Sequence, residues 1–143
     1  MYLFQGRFMI SIIFLSVDDA IRIHERVIAR DGGLAGTRDI GLLTSAIMVP
    51  QQGFGGQFLH EDLAAMGAAY LFHLAKNHAF LDGNKRVALA AALTFLVANG
   101  AESLPEQDEA ADVTLAVAAG QMTKEALTTW FRTVLTRAGP ASE

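Results

Sequence analysis

The sequence predicts an all-α protein: a compact bundle of six to seven helices with a central buried helix and a short N-terminal strand. Three observations carry that expectation. Apolar residues recur at spacings of three and four through most of the 143 residues, the pattern of amphipathic helices. Capping residues and glycine or proline stops cut the chain into helix-sized lengths. A strand-favouring run rich in isoleucine lies near the N-terminus, from Met9 to Leu15.

Each element has a local cause. Ser16-Val17-Asp18-Asp19 has the form of a capping box, in which serine and acid satisfy each other's backbone N–H groups. It opens a helix from Val17 to about Arg30. Val17, Ala20, Ile21, His24, Val27 and Ile28 form its apolar stripe, and Gly32-Gly33 end it, glycine being the natural left-handed terminator. Asp39 caps a second helix, Ile40 to Met48, which Pro50 closes. Gln51 to Gln57 holds Gly53, Gly55 and Gly56 and reads equally as a substrate-contacting flap or a plain connector. A third helix spans about Glu61 to Asn77. The fourth, Asn84 to Asn99, is apolar nearly all round and is therefore the expected centre. A fifth runs from about Glu106 to Ala119. The sixth starts at the cap Thr123 and passes through Trp130 and Phe131 to about Arg137.

Composition removes several function classes. Hydrophobic residues make up 52% of the chain and charged residues 18%, with mean hydropathy +0.31, too apolar for a disordered chain. The longest uncharged apolar stretch, Val87 to Ala98, has 12 residues, whereas a membrane span needs about 20. No membrane partner is expected. A net charge of −4 argues against direct nucleic-acid binding, which needs a basic surface. The chain has no cysteine, hence neither disulfides nor thiolate metal sites, and the simplest setting is the cytoplasm. None of the histidines has zinc-site spacing.

The chemistry is concentrated in His78-Ala79-Phe80-Leu81-Asp82-Gly83-Asn84-Lys85-Arg86, between two long apolar helices. A helix starting near Asn84 points unpaired N–H groups at this loop, an anion site. Gly83 lets the backbone approach a phosphate closely. Lys85 and Arg86 oppose the helix dipole in the first turn, a cost that a bound anion offsets. Asp82 would repel a phosphate unless Mg²⁺ bridged the two, and histidine can take a proton from an attacking hydroxyl near neutral pH. Together these specify phosphoryl or nucleotidyl transfer. Plain alternatives exist for each: Asn84 or Asp82 as an N-cap, Lys85 and Arg86 as a solvated first turn, His78 as a helix-end histidine.

The ordered string His78-x-Phe80-x-Asp82-Gly83-Asn84-Lys85-Arg86 resembles the signature loop of the Fic/Doc superfamily in its death-on-curing (Doc) form. His24, Gly32-Gly33-Leu34, Thr37-Arg38-Asp39, Leu43 and Ala46 before it, and Phe95-Leu96-x-x-Asn99-Gly100 and Trp130 after it, are similar as well. The likeness covers residues 9–137, one domain. Residues 1–8 are then a leader and 138–143 a tail, both expected to be loosely ordered.

The resemblance implies a Fic/Doc-like helical fold that transfers part of ATP to a protein hydroxyl with Mg²⁺. His78 matches the general base and Asp82 the acid that meets the metal. Gly83 and Asn84 match the anion-binding turn, Arg86 the phosphate-binding arginine, and Phe80 the aromatic that anchors the loop. Lys85 selects the branch: AMP-transferring Fic proteins carry glycine there, whereas lysine resembles the Doc toxins, which move the γ-phosphoryl of ATP to elongation factor Tu and block translation. Ala79 replaces the proline frequent in Fic proteins. The sequence has no S/T-x-x-x-E-G/N inhibitory motif, so an antitoxin supplied in trans is the implied restraint. The alternatives are a Fic-type AMP transferase and a non-catalytic helical binding module.

Overall fold

The structure, a computed structural model, describes residues 2–5 and 8–137. The order of elements is β1 (Tyr2–Gln5), β2 (Phe8–Ser11), α1 (Val17–Asp31), α2 (Ile40–Met48), a 3₁₀ turn (Val49–Gln51), β3 (Gly53–Phe54), β4 (Gln57–Phe58), α3 (Leu63–Asn77), α4 (Asn84–Ala98), α5 (Gln107–Ala118) and α6 (Lys124–Thr136). Among the described residues, six helices and two small hairpins make an all-α architecture.

Side-chain caps explain most helix starts. Ser16 Oγ accepts from the Asp19 N–H at 3.0 Å while the Asp19 carboxylate accepts from the Ser16 N–H at 2.8 Å, the full capping box. The bond from Ser16 holds the Asp19 carboxyl below its ordinary range. Asp39, Asp62 and Thr123 accept from Leu42, Ala65 and Ala126. Asp62 is thus the cap of α3, and Glu61 precedes the helix where the sequence suggested a first turn. Glu106 likewise caps α5 from outside it.

Two expectations need correction. The first concerns the N-terminal strand. β1 pairs antiparallel with β2, Tyr2 opposite Ser11 and Gln5 opposite Phe8. Tyr2-Leu3-Phe4 and Phe8-Met9-Ile10 are two strand-forming runs at hairpin spacing. The expected strand to Leu15 stops at Ser11, because Asn99 takes over the backbone of Ile13: its Oδ1 accepts from the Ile13 N–H and its Nδ2 donates to the Ile13 carbonyl. Residues 138–143, the expected tail, lie outside the described residues.

The second correction concerns the centre of the bundle. α3, not α4, is the central helix. Ten of its residues are buried, and α2, α4, α5 and α6 all pack on it. α4 owes its all-round apolarity largely to alanine, whose small side chain tolerates partial exposure, and its Val97 is 53% exposed. The two helices approach closely where Gly67 lacks a Cβ and Leu96 fills the space: a Cβ there would lie 3.2 Å from Leu96 Cδ2. At one end of this interface Phe95, fully buried, meets Tyr70 and Phe14 at ring-centroid distances of 5.0 and 5.9 Å. The Tyr70 hydroxyl accepts from the Leu15 N–H at 2.9 Å, and burial pushes its pKa up to about 12.

α6 closes the other side of α3. Arg132 bridges Glu61 and Asp62, and the Lys124 ammonium donates to His73 Nε2 at 3.0 Å. A nitrogen that accepts carries no proton, so this contact selects neutral His73. Burial, with Lys124 and His60 adding to it, holds His73 down at about 4. His60, whose Nδ1 is buried without a partner, is also lowered, first by burial and then by Lys124.

Two outcomes follow from this packing. Phe95→Ala should lower unfolding free energy by about 3–5 kcal/mol, the range for a buried aromatic, as measured by urea denaturation. His73 titrates lower in the folded than in the unfolded chain, where its value is 6.5. The unfolded chain therefore binds more protons between the two values, and stability falls as pH drops from about 6.5 to about 4. Melting temperature against pH should show a plateau above about 6.5 and a fall below it, with the fall reduced in His73→Leu.

Candidate active site

The loop between α3 and α4, His78 to Gly83, has an unusual backbone. His78 is left-handed, φ 52 and ψ 47, and among the described residues it is the one non-glycine with positive φ. That conformation costs about 1–2 kcal/mol for a residue with a Cβ, so the surroundings must impose it. They do so through the segment between α1 and α2. Arg38 Nε donates to the His78 carbonyl at 2.8 Å. The N–H groups of Arg38 and Asp39 both donate to the Ala79 carbonyl, and the Leu81 N–H donates to Gly36 O. Thr37 and Phe80 form a strand-like bridge.

Inside the loop the side chains work as clamps. Asn84 accepts from the Phe80 N–H and donates to the Phe80 carbonyl, both at 3.0 Å. Phe80 is buried and stacked on His24, centroids 4.1 Å apart and planes 7° from parallel. His24, the residue on the apolar stripe of α1, is itself buried, and its Nε2 lies 2.8 Å from the Asp82 carbonyl oxygen. It is both a core residue and a tether of the loop.

Asp82 and Arg86 both bond the segment that follows α1. Asp82 Oδ2 accepts from the Leu34 N–H at 3.1 Å and Oδ1 from the Gly83 N–H at 2.8 Å. These two bonds, the Leu34 bond first, keep the carboxyl below its ordinary range and hence ionised. Arg86 donates to the Gly32 carbonyl at 3.0 Å. A Cβ on Gly33, at φ +120, would lie 2.6 Å from Asp82 Oδ2 and 3.1 Å from an Arg86 nitrogen. Gly33 therefore does more than stop α1: it is the floor on which acid and arginine rest.

α4 begins without a side-chain cap, with Gly83 left-handed at its N-cap. Among the described residues the N–H groups of Asn84, Lys85 and Arg86 meet no acceptor, so the positive end of the helix dipole is open. It faces a cavity of about 690 Å³ lined by His78, Leu81, Asp82, Gly83, Asn84, Lys85 and Arg86 on one side and by α5 and its end (Asp112, Leu115, Ala116, Ala119, Gln121) on the other. That is the size of a small-molecule site.

All six residues singled out from the sequence line this one cavity. Asn84 differs in detail, since its side chain is turned in to Phe80 and only its backbone N–H is open to an anion. The glycine-rich segment, Gln51 to Gln57, forms the β3–β4 hairpin with Phe54 84% exposed and does not line the cavity. The wall from α5 had no local signal, because nothing in its helical pattern marks the face turned to the loop. No group of three histidines or acids among the described residues could hold a metal alone. The site still suits Mg²⁺, which is commonly held by one carboxylate together with substrate phosphates: Asp82 is ionised, and each of its oxygens keeps a lone pair beyond its backbone bond.

This fold and loop define a known class. The model of the Fic/DOC family matches residues 14–96, from the chain before α1 to the end of α4, and the chain belongs to that family. Among characterised relatives, it is 36% identical over 108 residues to "Protein kinase doc" of Escherichia phage P1, covering 76% of this chain and 84% of that protein. It is 46% identical over 77 residues to "Toxin Doc" of Mycolicibacterium smegmatis, covering 54% of this chain and 59% of the relative.

Asn84→Ala removes both clamps on Phe80 and should cost about 1–3 kcal/mol in urea denaturation, the penalty of stranding buried polar groups. Lys85→Ala, at an exposed position, should stay within about 0.5 kcal/mol. A large loss for Lys85→Ala would mean that this residue serves the fold.

Proposed function

We propose that the protein is a Doc-like toxin that transfers the γ-phosphoryl group of ATP to a hydroxyl of a protein of the translation machinery, of the elongation factor Tu kind, and is restrained by a separate antitoxin protein. The observation that carries this reading is the convergence of an exposed histidine, an ionised aspartate and an uncapped helix N-terminus with Lys85 and Arg86 around one cavity. A binding module needs no left-handed histidine braced by an arginine. The names of the two relatives, a protein kinase and a toxin, support the same class.

In this reading each residue has one task. The N–H groups of Asn84, Lys85 and Arg86, with the Arg86 guanidinium, hold the phosphates, and Gly83 leaves them room. Asp82 holds Mg²⁺, which when bound neutralises phosphate charge. His78 stands at the cavity mouth and takes the proton from the target hydroxyl, whose oxygen bonds to the γ-phosphorus as the bond to the β-phosphate oxygen breaks and ADP leaves. Lys85, exposed beside the open turn, favours seating the terminal phosphate here. ATP, Mg²⁺ and the target are all available in the cytoplasm, where the protein would act. Among the described residues no helix is long and apolar enough to cross a membrane.

Incubation with γ- or α-labelled ATP and a cell extract tests the reading. Label from the γ position alone should reach protein, and His78→Ala should reduce it by at least about a hundredfold, the lower end of the span for loss of a general base. Label from the α position would assign AMP transfer. Transfer undiminished in His78→Ala would overturn the role of the histidine.

A further inference from the structure

We propose that His24 is a positioning residue that sets the direction of Asp82, and that it does so through one hydrogen bond to the peptide backbone. The inference rests on the reading of Asp82 as the carboxylate that meets Mg²⁺.

His24 is 2% exposed. Burying an imidazole is costly unless its nitrogens are satisfied, and packing alone gives no reason to place one here. The flat stack on Phe80 is a contact that a phenylalanine would make equally well. What phenylalanine could not supply is the contact at the ring edge, Nε2 to the Asp82 carbonyl at 2.8 Å. A carbonyl oxygen only accepts, so Nε2 carries the proton, and that assignment is the same in neutral and in protonated imidazole.

The bond spans 58 positions of sequence and turns the Asp82 carbonyl inward to α1. With the carbonyl fixed, the N–H groups of Leu34 and Gly83 each give a hydrogen bond to one carboxylate oxygen. Asp82 is thus held at three points: its carbonyl by α1, Oδ2 by the segment after α1, and Oδ1 by its own loop. The two backbone donors fix the carboxylate only if the peptide carrying it is already oriented, and His24 is the group that orients it. Its stack on Phe80 ties the same ring to the anchor two residues earlier, so one side chain sets two alternate residues of the loop.

Calorimetric titration with ATP, in the presence and absence of Mg²⁺, separates positioning from folding. Wild type should bind ATP more tightly with Mg²⁺. His24→Phe keeps the stack and loses the donor: metal-free ATP binding should be unchanged, while the enhancement by Mg²⁺ should fall about tenfold, as for loss of groups that orient a metal ligand. His24→Gln, whose amide can donate from nearly the same place, should recover most of it. Folded His24→Phe with the full enhancement would overturn the proposal, as would equal loss with and without Mg²⁺, which marks a general collapse of the loop. If His24→Phe fails to melt cooperatively, His24→Met replaces it, filling the space without a donor, and the same outcomes decide. Wild type that binds ATP without any effect of Mg²⁺ would refute the metal role of Asp82 itself, and this inference with it.

Discussion

The structure depends on a grip between two loops. The segment from Gly32 to Asp39, joining α1 to α2, lies along the loop from His78 to Gly83 and bonds it at the carbonyls of His78 and Ala79, at the Leu81 N–H and at the Asp82 carboxylate. Phe80 anchors the second loop in the core, but burial of one ring does not set the backbone path on either side of it. A left-handed histidine is unfavourable in isolation, and an ionised acid beside an arginine would be free to rotate. Paired, they become one unit mounted on four helices, α1 to α4. The packing of α3 against its neighbours supplies the mount, and the core around Tyr70, Phe80 and Phe95 keeps α3 and α4 at the angle that opens the helix N-terminus to the cavity.

Such fixed positions are what the proposed phosphoryl transfer requires. Such reactions ask a protein for positioning and for charge placed in advance rather than for covalent chemistry. Here the closest partners of the charges are neutral, two N–H groups for Asp82 and the Gly32 carbonyl for Arg86, while the Asp31 carboxylate lies farther off, 3.9 Å from Arg86. His78, the proposed base, stands exposed while its carbonyl is held by Arg38. Several groups that hold the cavity-lining side chains, Gly32, Leu34 and Arg38, thus come from a different part of the chain.

This division explains what could be read from sequence. Helix limits were legible because capping is local: Ser16, Asp39 and Thr123 each act within three residues. The loop from His78 to Arg86 was legible because its chemistry is contiguous. The grip was not, since its bonds join residues 40 to 48 positions apart and no local pattern announces such a pairing. The centre of the bundle was misplaced for a related reason. Apolarity all round marks a helix that can be buried, but whether it is depends on its neighbours, and α3 gained that place by lying between α2, α4, α5 and α6. The β1–β2 hairpin escaped because Tyr2-Leu3-Phe4 gains meaning as a strand only beside its partner. The α5 wall of the cavity escaped because Asp112 and Leu115 look like any exposed helical face.

The central claim is that the open turn at Asn84, Lys85 and Arg86 receives phosphate while Asp82 faces the metal that accompanies it. A crystal structure with Mg²⁺ and a non-hydrolysable ATP analogue tests this most directly. The account predicts phosphate oxygens about 3 Å from those backbone nitrogens, Mg²⁺ on the Asp82 carboxylate and the Gly32–Asp39 segment unmoved. An analogue bound elsewhere, with the turn at Asn84 empty or the two loops parted, would contradict it.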